Sequence, residues 1–233
     1  MSGVAREVLT LEPAEFAAWT ARVLEDAIHT AVQARGVCRL VLAGGRTPAA
    51  VYRDLAVRDG IPWAHVDVFI GDERCVPPEH IDSNFRMINE SLLHLVPIPS
   101  AQIHRLRGEA GATAAAAEYN TLLETLPEPK FDFVLTGVGA DGHTASLFPG
   151  DARVESEQAW TMPSVAPPDF AIAERVGLSL RALCSARMVC VLCTGAEKQA
   201  VRRAILEGDA AAQSLPAALV HGIDRTLWIV DPL

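Results

Sequence analysis

Residues Phe131 to Gly150 read FDFVLTGVGADGHTASLFPG, and the fold can be argued outward from them. Phe131, Phe133, Val134 and Leu135 form an apolar run too short for a helix and closed by glycines, which predicts a buried strand. Gly137, Gly139, Asp141, Gly142 and His143 follow at once, so flexible backbone and titratable groups gather where the strand delivers its loop. Ligands of open α/β sheets sit outside the carboxyl ends of strands. The loop is therefore the first candidate for chemistry. Its glycines also spell GxGxxG, but a dinucleotide site needs a helix opening there and an acidic residue about 20 positions on. Pro149 and Gly150 stop any helix within two turns, and the region near Trp160 offers no such acid.

The same pattern repeats on either side. Phe16, Trp19, Val23, Ala27, Ile28, Ala31 and Val32 recur at helical spacing between Pro13 and Arg35, with Gly36 as the stop and the aromatics as core. The apolar run from Val37 is the next strand. It hands over to Gly44, Gly45, Arg46, Thr47 and Pro48 before a helix through Val57, with Thr47 the expected N-cap and Pro48 in the first helical position. Strand, glycine turn and helix start direct free N–H groups and the positive end of the helix dipole at one spot, which suits a phosphate. The loop lacks the GK[ST] ending of a nucleotide-binding P-loop.

Val66, Val68, Phe69 and Ile70 make a third strand, ending on Gly71, Asp72, Glu73 and Arg74, which read as a charged loop. Arg74 is a fixed cation able to hold a carboxylate, a phosphate or a developing oxyanion, and it cannot act as a base. Pro77 and Pro78 precede Ser83, Asn84 and a helix carrying Phe85, Ile88, Leu92 and Leu95. The alanine-rich segment Gly111 to Leu126 is expected to be a surface helix without chemistry. Beyond Gly150 come an extended segment from Ala159 to Val165, a strand suggested by Arg175, Val176, Leu178 and Leu180, and a buried strand from Met188 to Thr194. A helix opened by Gly195 carries Lys198 in its first turn and ends at Gly208; Pro216 and a last strand from Thr226 to Val230 complete the chain. Strands alternate with helices and no long linker divides them. The expectation is one α/β domain over 1–233, a doubly wound, mostly parallel sheet with helices on both faces.

Composition sets the outer limits. The chain has 233 residues, half of them hydrophobic, and a formal net charge of −9. A nucleic-acid binder would show a basic face. No apolar run is long enough to span a bilayer, and the first residues lack a basic start with an apolar core, so neither a membrane nor a secretory signal is expected. The five cysteines are an odd set that favours a reducing compartment, hence a cytoplasmic location. Cys190 and Cys193 have CxxC spacing, but in a strand positions three apart face opposite sides. They read as two buried small hydrophobes. Cys75, beside Arg74, has surroundings able to lower a thiol pKa, with ordinary packing the simpler reading.

Taken together, LAGGRTP (Leu42 to Pro48), GDERCVPPEHIDSN (Gly71 to Asn84), GVGADGHTASLFPG (Gly137 to Gly150), ERVGLSL around Arg175, GAEKQAV (Gly195 to Val201) and LPAALV with the late Trp228 resemble the 6-phosphogluconolactonases. That family lies within a wider group that includes glucosamine-6-phosphate deaminase. The resemblance spans nearly the whole chain, and DERxVP with DGHTASLFP is its specific part. It implies a Rossmann-like sheet of the sugar-phosphate isomerase and deaminase kind. It also implies hydrolysis of 6-phospho-D-glucono-1,5-lactone to 6-phospho-D-gluconate in the oxidative pentose phosphate pathway, without a metal or organic cofactor. Carried over, the catalytic histidine is His143, the DER arginine is Arg74 and the phosphate loop is Gly44, Gly45, Arg46 and Thr47, with Arg175 and Lys198 as basic partners. Arg46 stands where serine is common and Thr136 where leucine is usual.

The chemistry can be argued beside the resemblance. A δ-lactone is an activated ester, so its hydrolysis needs a base, oxyanion stabilisation and a fixed sugar. His143 is the natural base because imidazole titrates near neutral pH. Asp141 is placed to orient it if a turn brings the two together. Arg74 or backbone N–H groups around Gly142 are candidates for the oxyanion, and Asp72 and Gly142 for substrate contacts. Ser146 is not in a GxSxG elbow, so direct attack by water is preferred to a covalent route. Two other readings stand behind this one. A deaminase of the same group carries a glutamate soon after the histidine, whereas Thr144 to Gly150 holds no acid. A non-enzymatic sugar-phosphate sensor needs a DNA-binding segment that is not visible. The expected partner is a small sugar-phosphate lactone, and the expected state a monomer or weak dimer.

Overall fold

The computed structural model describes residues 6–232. Seven strands form one parallel sheet: β1 (Arg6–Thr10), β2 (Cys38–Leu42), β3 (Val66–Ile70), β5 (Ile103–His104), β6 (Phe131–Gly137), β9 (Ala186–Cys193) and β10 (Arg225–Val230), in the order β1-β10-β9-β6-β2-β3-β5. The central strands are apolar on both faces because helices cover both, as parallel sheets require. Leu40, Leu42, Phe133, Leu135, Cys190 and Leu192 pack on one side, with α1 (Pro13–Arg35) and α2 (Arg46–Ala56). Val41, Val134, Val189, Val191, Cys193 and Trp228 pack on the other, with α4 (Ala112–Glu124), α5 (Arg153–Ser156), α6 (Leu180–Cys184), α7 (Gln199–Glu207) and α8 (Pro216–Leu219). Cys190 and Cys193 thus lie in opposite cores, as the strand period demands, and both are free thiols. The doubly wound expectation holds.

From β2 the chain steps one way to β3, while β6, β9 and β10 lie successively on the other side. The reversal between β2 and β6 leaves a crevice at their carboxyl ends, where such folds bind ligands. Both flanking loops are the glycine-rich ones.

Local signals explain most element boundaries. The long helix α1 stops where Gly36 turns left-handed (φ 77°) and donates its N–H to Val32 O at 2.8 Å. Phe16 is buried there, while Trp19 sits partly buried at the flank. Four expectations need correcting. Helix α2 begins at Arg46 with Gly45 as N-cap and no side-chain cap, so Thr47 is already helical. Its hydroxyl instead lies 3.2 Å from that of Thr194, tying the loop after β2 to the end of β9. The DER segment is not a solvated loop but a strand, β4 (Asp72–Arg74), in a second, antiparallel sheet ordered β4-β8-β7 with β8 (Glu174–Leu178) and β7 (Thr161–Val165). Leu180 belongs to α6 rather than to β8, because Ser179 accepts from Ala182 N and caps the helix. Finally, α4 buries Ala115, Ala116, Tyr119 and Leu123. Tyr119 Oη accepts from Ile70 N (3.1 Å) and donates to His104 O (2.9 Å), linking the helix to β3 and β5.

Candidate active site

Ala43 to Pro48, Asp72, Arg74, Asn84, Thr136 to Gly139, His143, Ala145, Phe170, Leu192 and Lys198 line a cleft of about 500 Å³ at the carboxyl edge of the sheet. Strands β2, β3, β6 and β9 therefore all deliver residues to one place. The cleft joins three of the groups read from sequence: the Gly44 to Thr47 loop, the DER strand and the histidine loop.

The histidine loop is a tight turn. Gly142 adopts φ 88°, Gly142 N donates to Gly139 O (3.0 Å) and Gly139 N donates to His143 O (2.9 Å). This brings Asp141 Oδ1 to 2.6 Å from His143 Nδ1, while the same oxygen accepts from His143 N at 3.1 Å. An ionised carboxylate only accepts, so the proton sits on Nδ1 and the Nε2 lone pair is left to act as a base. The rings of Phe148 and Phe170 lie 5.2 and 5.5 Å from the imidazole, centroid to centroid, and limit its rotation. Gly139 has a second duty. A Cβ there would stand 2.0 Å from His143 Nδ1. Behind the turn, Gly142 packs against Leu215, and its carbonyl accepts from Ala217 N at 3.0 Å, so α8 braces the loop.

The threonines of this segment are structural. Thr144 Oγ1 donates to Gly137 O at 2.8 Å, so at the 2.7 Å contact between the two hydroxyls Thr136 must be the donor. The unusual residue at 136 is thus satisfied inside the turn. Ser146 is buried and donates to Asp72 Oδ2 at 2.6 Å. It does not line the cleft, which agrees with passing it over as a nucleophile.

On the opposite wall Asp72 receives Ser146 and Asn84 Nδ2 (3.1 Å), and Asn84 lies so close to Gly44 that a Cβ on that glycine would be 1.8 Å from Asn84 Oδ1. Glu73 points away from the cleft and accepts from Ser83 Oγ, Asn84 N and Phe85 N at the start of α3 (Asn84–Ile88), and from Arg74 N. Burial raises its pKa and these four donors oppose the rise. Glu73 is therefore the device that fixes Asn84 and, through it, the glycine loop. Arg74 donates Nη1 to Asp82 O at 2.6 Å, and its buried Nε has no partner among the described residues.

Lys198 also lines the cleft, at the end of a short 3-10 turn (Ala196–Lys198) after β9. Among the described residues it makes no ion pair, nor does Arg46. Two expected contacts fall outside the lining. Arg175 is paired with Arg74 across the small sheet, donates Nε to Ile172 O at 2.9 Å and lies over the Phe170 ring; burial, then the neighbouring Arg74, lowers its pKa. It stands behind the wall. Gly142 shapes the turn but does not face the cleft. Asn84 and Phe170 line the cleft without being among the expected site residues: Asn84 reads as a helix start and as the last residue of the GDERCVPPEHIDSN motif, and Phe170 lies in a loop without local pattern. Cys75 is no activated thiol, since burial and then Glu174 and Glu73 push it up to about 11.

Fold and cleft define a class: an α/β protein with a glycine-rich loop facing a carboxylate-oriented histidine across the switch point of a parallel sheet. Residues 11–228 match the family of glucosamine-6-phosphate isomerases/6-phosphogluconolactonase. The chain belongs to that family. It is 36% identical over 222 residues to a 6-phosphogluconolactonase of Mycobacterium leprae, covering 89% of this chain and 88% of the relative. The crystal structure of 6-phosphogluconolactonase from Thermotoga maritima superposes with a TM-score of 0.87 at 30% identity, over 98% of this chain and all of the other (100%). The enzyme from Trypanosoma brucei gives 0.86 at 29%, over 98% and 97%.

Proposed function

We propose that the protein hydrolyses 6-phospho-D-glucono-1,5-lactone to 6-phospho-D-gluconate, the lactonase step of the oxidative pentose phosphate pathway, by His143-assisted attack of water. The observation that carries the mechanism is that one cleft is lined both by His143, oriented by Asp141, and by Gly44, Gly45, Thr47 and the cations Arg46, Arg74 and Lys198. Named relatives at a third identity support the reaction. Over the described residues one α/β unit carries the whole site.

The phosphate sits on the Gly44 to Thr47 loop, where the helix α2 supplies N–H groups of Arg46 and Thr47, and Lys198 and Arg46 supply charge. The sugar ring then reaches toward His143. Nε2 takes a proton from water as the oxygen attacks the lactone carbonyl, and Asp141 stabilises the imidazolium that results. Negative charge grows on the carbonyl oxygen, and Arg74, which lines the cleft, is the cation placed to meet it. As the intermediate collapses the ring C–O bond breaks, and the imidazolium returns its proton to the departing ring oxygen. Asp72 is held by Ser146 and Asn84 and contacts substrate hydroxyls with its remaining lone pairs. The protein works in the cytoplasm on a small phosphorylated lactone, as a monomer or weak dimer, without nucleic acid.

The test is the decay of freshly generated lactone, read by coupling product formation to 6-phosphogluconate dehydrogenase and NADP. Wild type is expected to accelerate it and His143→Ala to return it close to the spontaneous rate. No acceleration by folded wild type rejects the lactonase reading, and ammonia release from glucosamine 6-phosphate would then favour the deaminase.

A further inference from the structure

We propose that Asp231, beyond the last strand and outside the cleft, is a positioning residue that holds Lys198 at the substrate's phosphate. This rests on the reading of Lys198 as the cation that meets that phosphate.

The turn that carries Lys198 is short and exposed, and something must fix it. Gly195 adopts φ 106°, and a Cβ there would lie 2.6 Å from the Glu197 carboxylate, so this corner is set by glycine. Its N–H and its C=O are both held. Gly195 N donates to Asp231 Oδ2 at 2.8 Å, and Gly195 O accepts from Lys198 N at 3.0 Å. Two hydrogen bonds through the backbone of one residue, Gly195, therefore connect the Asp231 carboxylate to the backbone of Lys198.

Asp231 is itself anchored. Its Oδ1 pairs with Arg202 Nη1, and the same nitrogen donates to Asp231 O at 2.8 Å. Arg202 is only 3% exposed and lies on α7, one turn after Lys198. A single carboxylate thus joins the end of β10, the turn after β9 and the helix that follows. Arg202 Nη2 is buried without a partner among the described residues, so losing Asp231 would leave a buried guanidinium still less satisfied. Asp231 also lines a small cavity of about 180 Å³ with Thr47 and Thr194, and Thr47 lines the cleft as well. None of Thr194, Arg202 and Asp231 touches the space where the lactone reacts.

A residue that acts through Lys198 should change substrate affinity and leave the chemical step alone. Displacements near 1 Å cost on the order of 10²-fold when they reach the reacting atoms; a displaced phosphate cation should cost less. Asp231→Ala is expected to raise KM for the phosphorylated lactone about tenfold with kcat within about twofold. Asp231→Asn keeps one carbonyl oxygen for Gly195 N–H and should give a smaller rise; it also serves if the alanine variant fails to fold. The decisive arm places both changes in a Lys198→Ala background, where the Asp231 effect should vanish. The same variants are titrated with 6-phospho-D-gluconate by calorimetry, so that an inactive wild type would reject the lactonase reading while the affinity data still decide the role of Asp231. An unchanged KM and affinity, a loss confined to kcat, or an undiminished Asp231 effect in the Lys198→Ala background overturns the proposal.

Discussion

His143 and Asp141 divide one task at the scale of single residues, and separate substitutions resolve it. His143→Gln removes the base and is expected to lower kcat by on the order of 10²–10⁴-fold with KM little changed. Asp141→Asn keeps the size of the side chain. Its carbonyl oxygen can still accept from His143 Nδ1–H, but it carries no charge to meet the imidazolium, so kcat should fall less than in the histidine variant. Steady-state kinetics of both checks the order, and an Asp141→Asn enzyme with wild-type kcat removes Asp141 from the mechanism. These two residues were legible because two positions of sequence separate them and a glycine turn joins them. Asn84 and Asp231 were not, because their partners are remote in sequence: Asn84 meets Gly44 and Asp231 meets Gly195 only after the sheet has assembled.

At the scale of elements, the glycine turns carry the most specific predictions. Gly44→Ala would put a methyl group into Asn84, itself fixed by Asp72 and by the Glu73 carboxylate, so the strain passes into the DER strand. Loss of affinity for the phosphorylated substrate is expected, with a drop in thermal midpoint; an enzyme with unchanged KM would show that the loop has room to shift. Gly139→Ala should act on kcat instead, because its Cβ collides with the imidazole. The sequence made the strand ends visible wherever an apolar run met glycine, as at β2, β6 and β9. It hid the small sheet, since Asp72, Glu73 and Arg74 carry the charges of a loop. Their backbone is paired with Arg175 to Gly177, and their side chains find partners in Asn84, Ser146 and Ser83. It also hid β1, a polar-looking edge strand held by β10 in parallel register.

The whole molecule carries a net charge of −9 yet gathers Arg46, Arg74 and Lys198 around one cleft. The seven-stranded sheet that makes this possible also sets the limit of stability at high pH. Burial raises the thiols of Cys38 and Cys190 and the phenols of Tyr52 and Tyr119 above their ordinary values of 9.0 and 10.0, and it pushes Cys193 up to about 11. Below the ordinary thiol value both folded and unfolded chains keep these protons. Above it the unfolded chain releases them while the folded chain holds them, so the unfolded state binds fewer protons and stability falls as pH rises. Each such group costs up to ~1.4 kcal/mol per pH unit in that window. His221 acts with the same sign but earlier. Its hydrogen bond with Cys184 leads the causes that raise it from 6.5 to about 9, so its contribution is complete below 6.5 and is lost as pH climbs through 9. Urea midpoints should therefore decline gently from pH 7 to 9 and steeply from 9 to 10.5. Replacing Cys38 and Cys190 by alanine lowers the whole curve by cavity formation but flattens its alkaline limb. A variant curve parallel to the wild-type one at high pH would mean that the buried thiols do not set the slope.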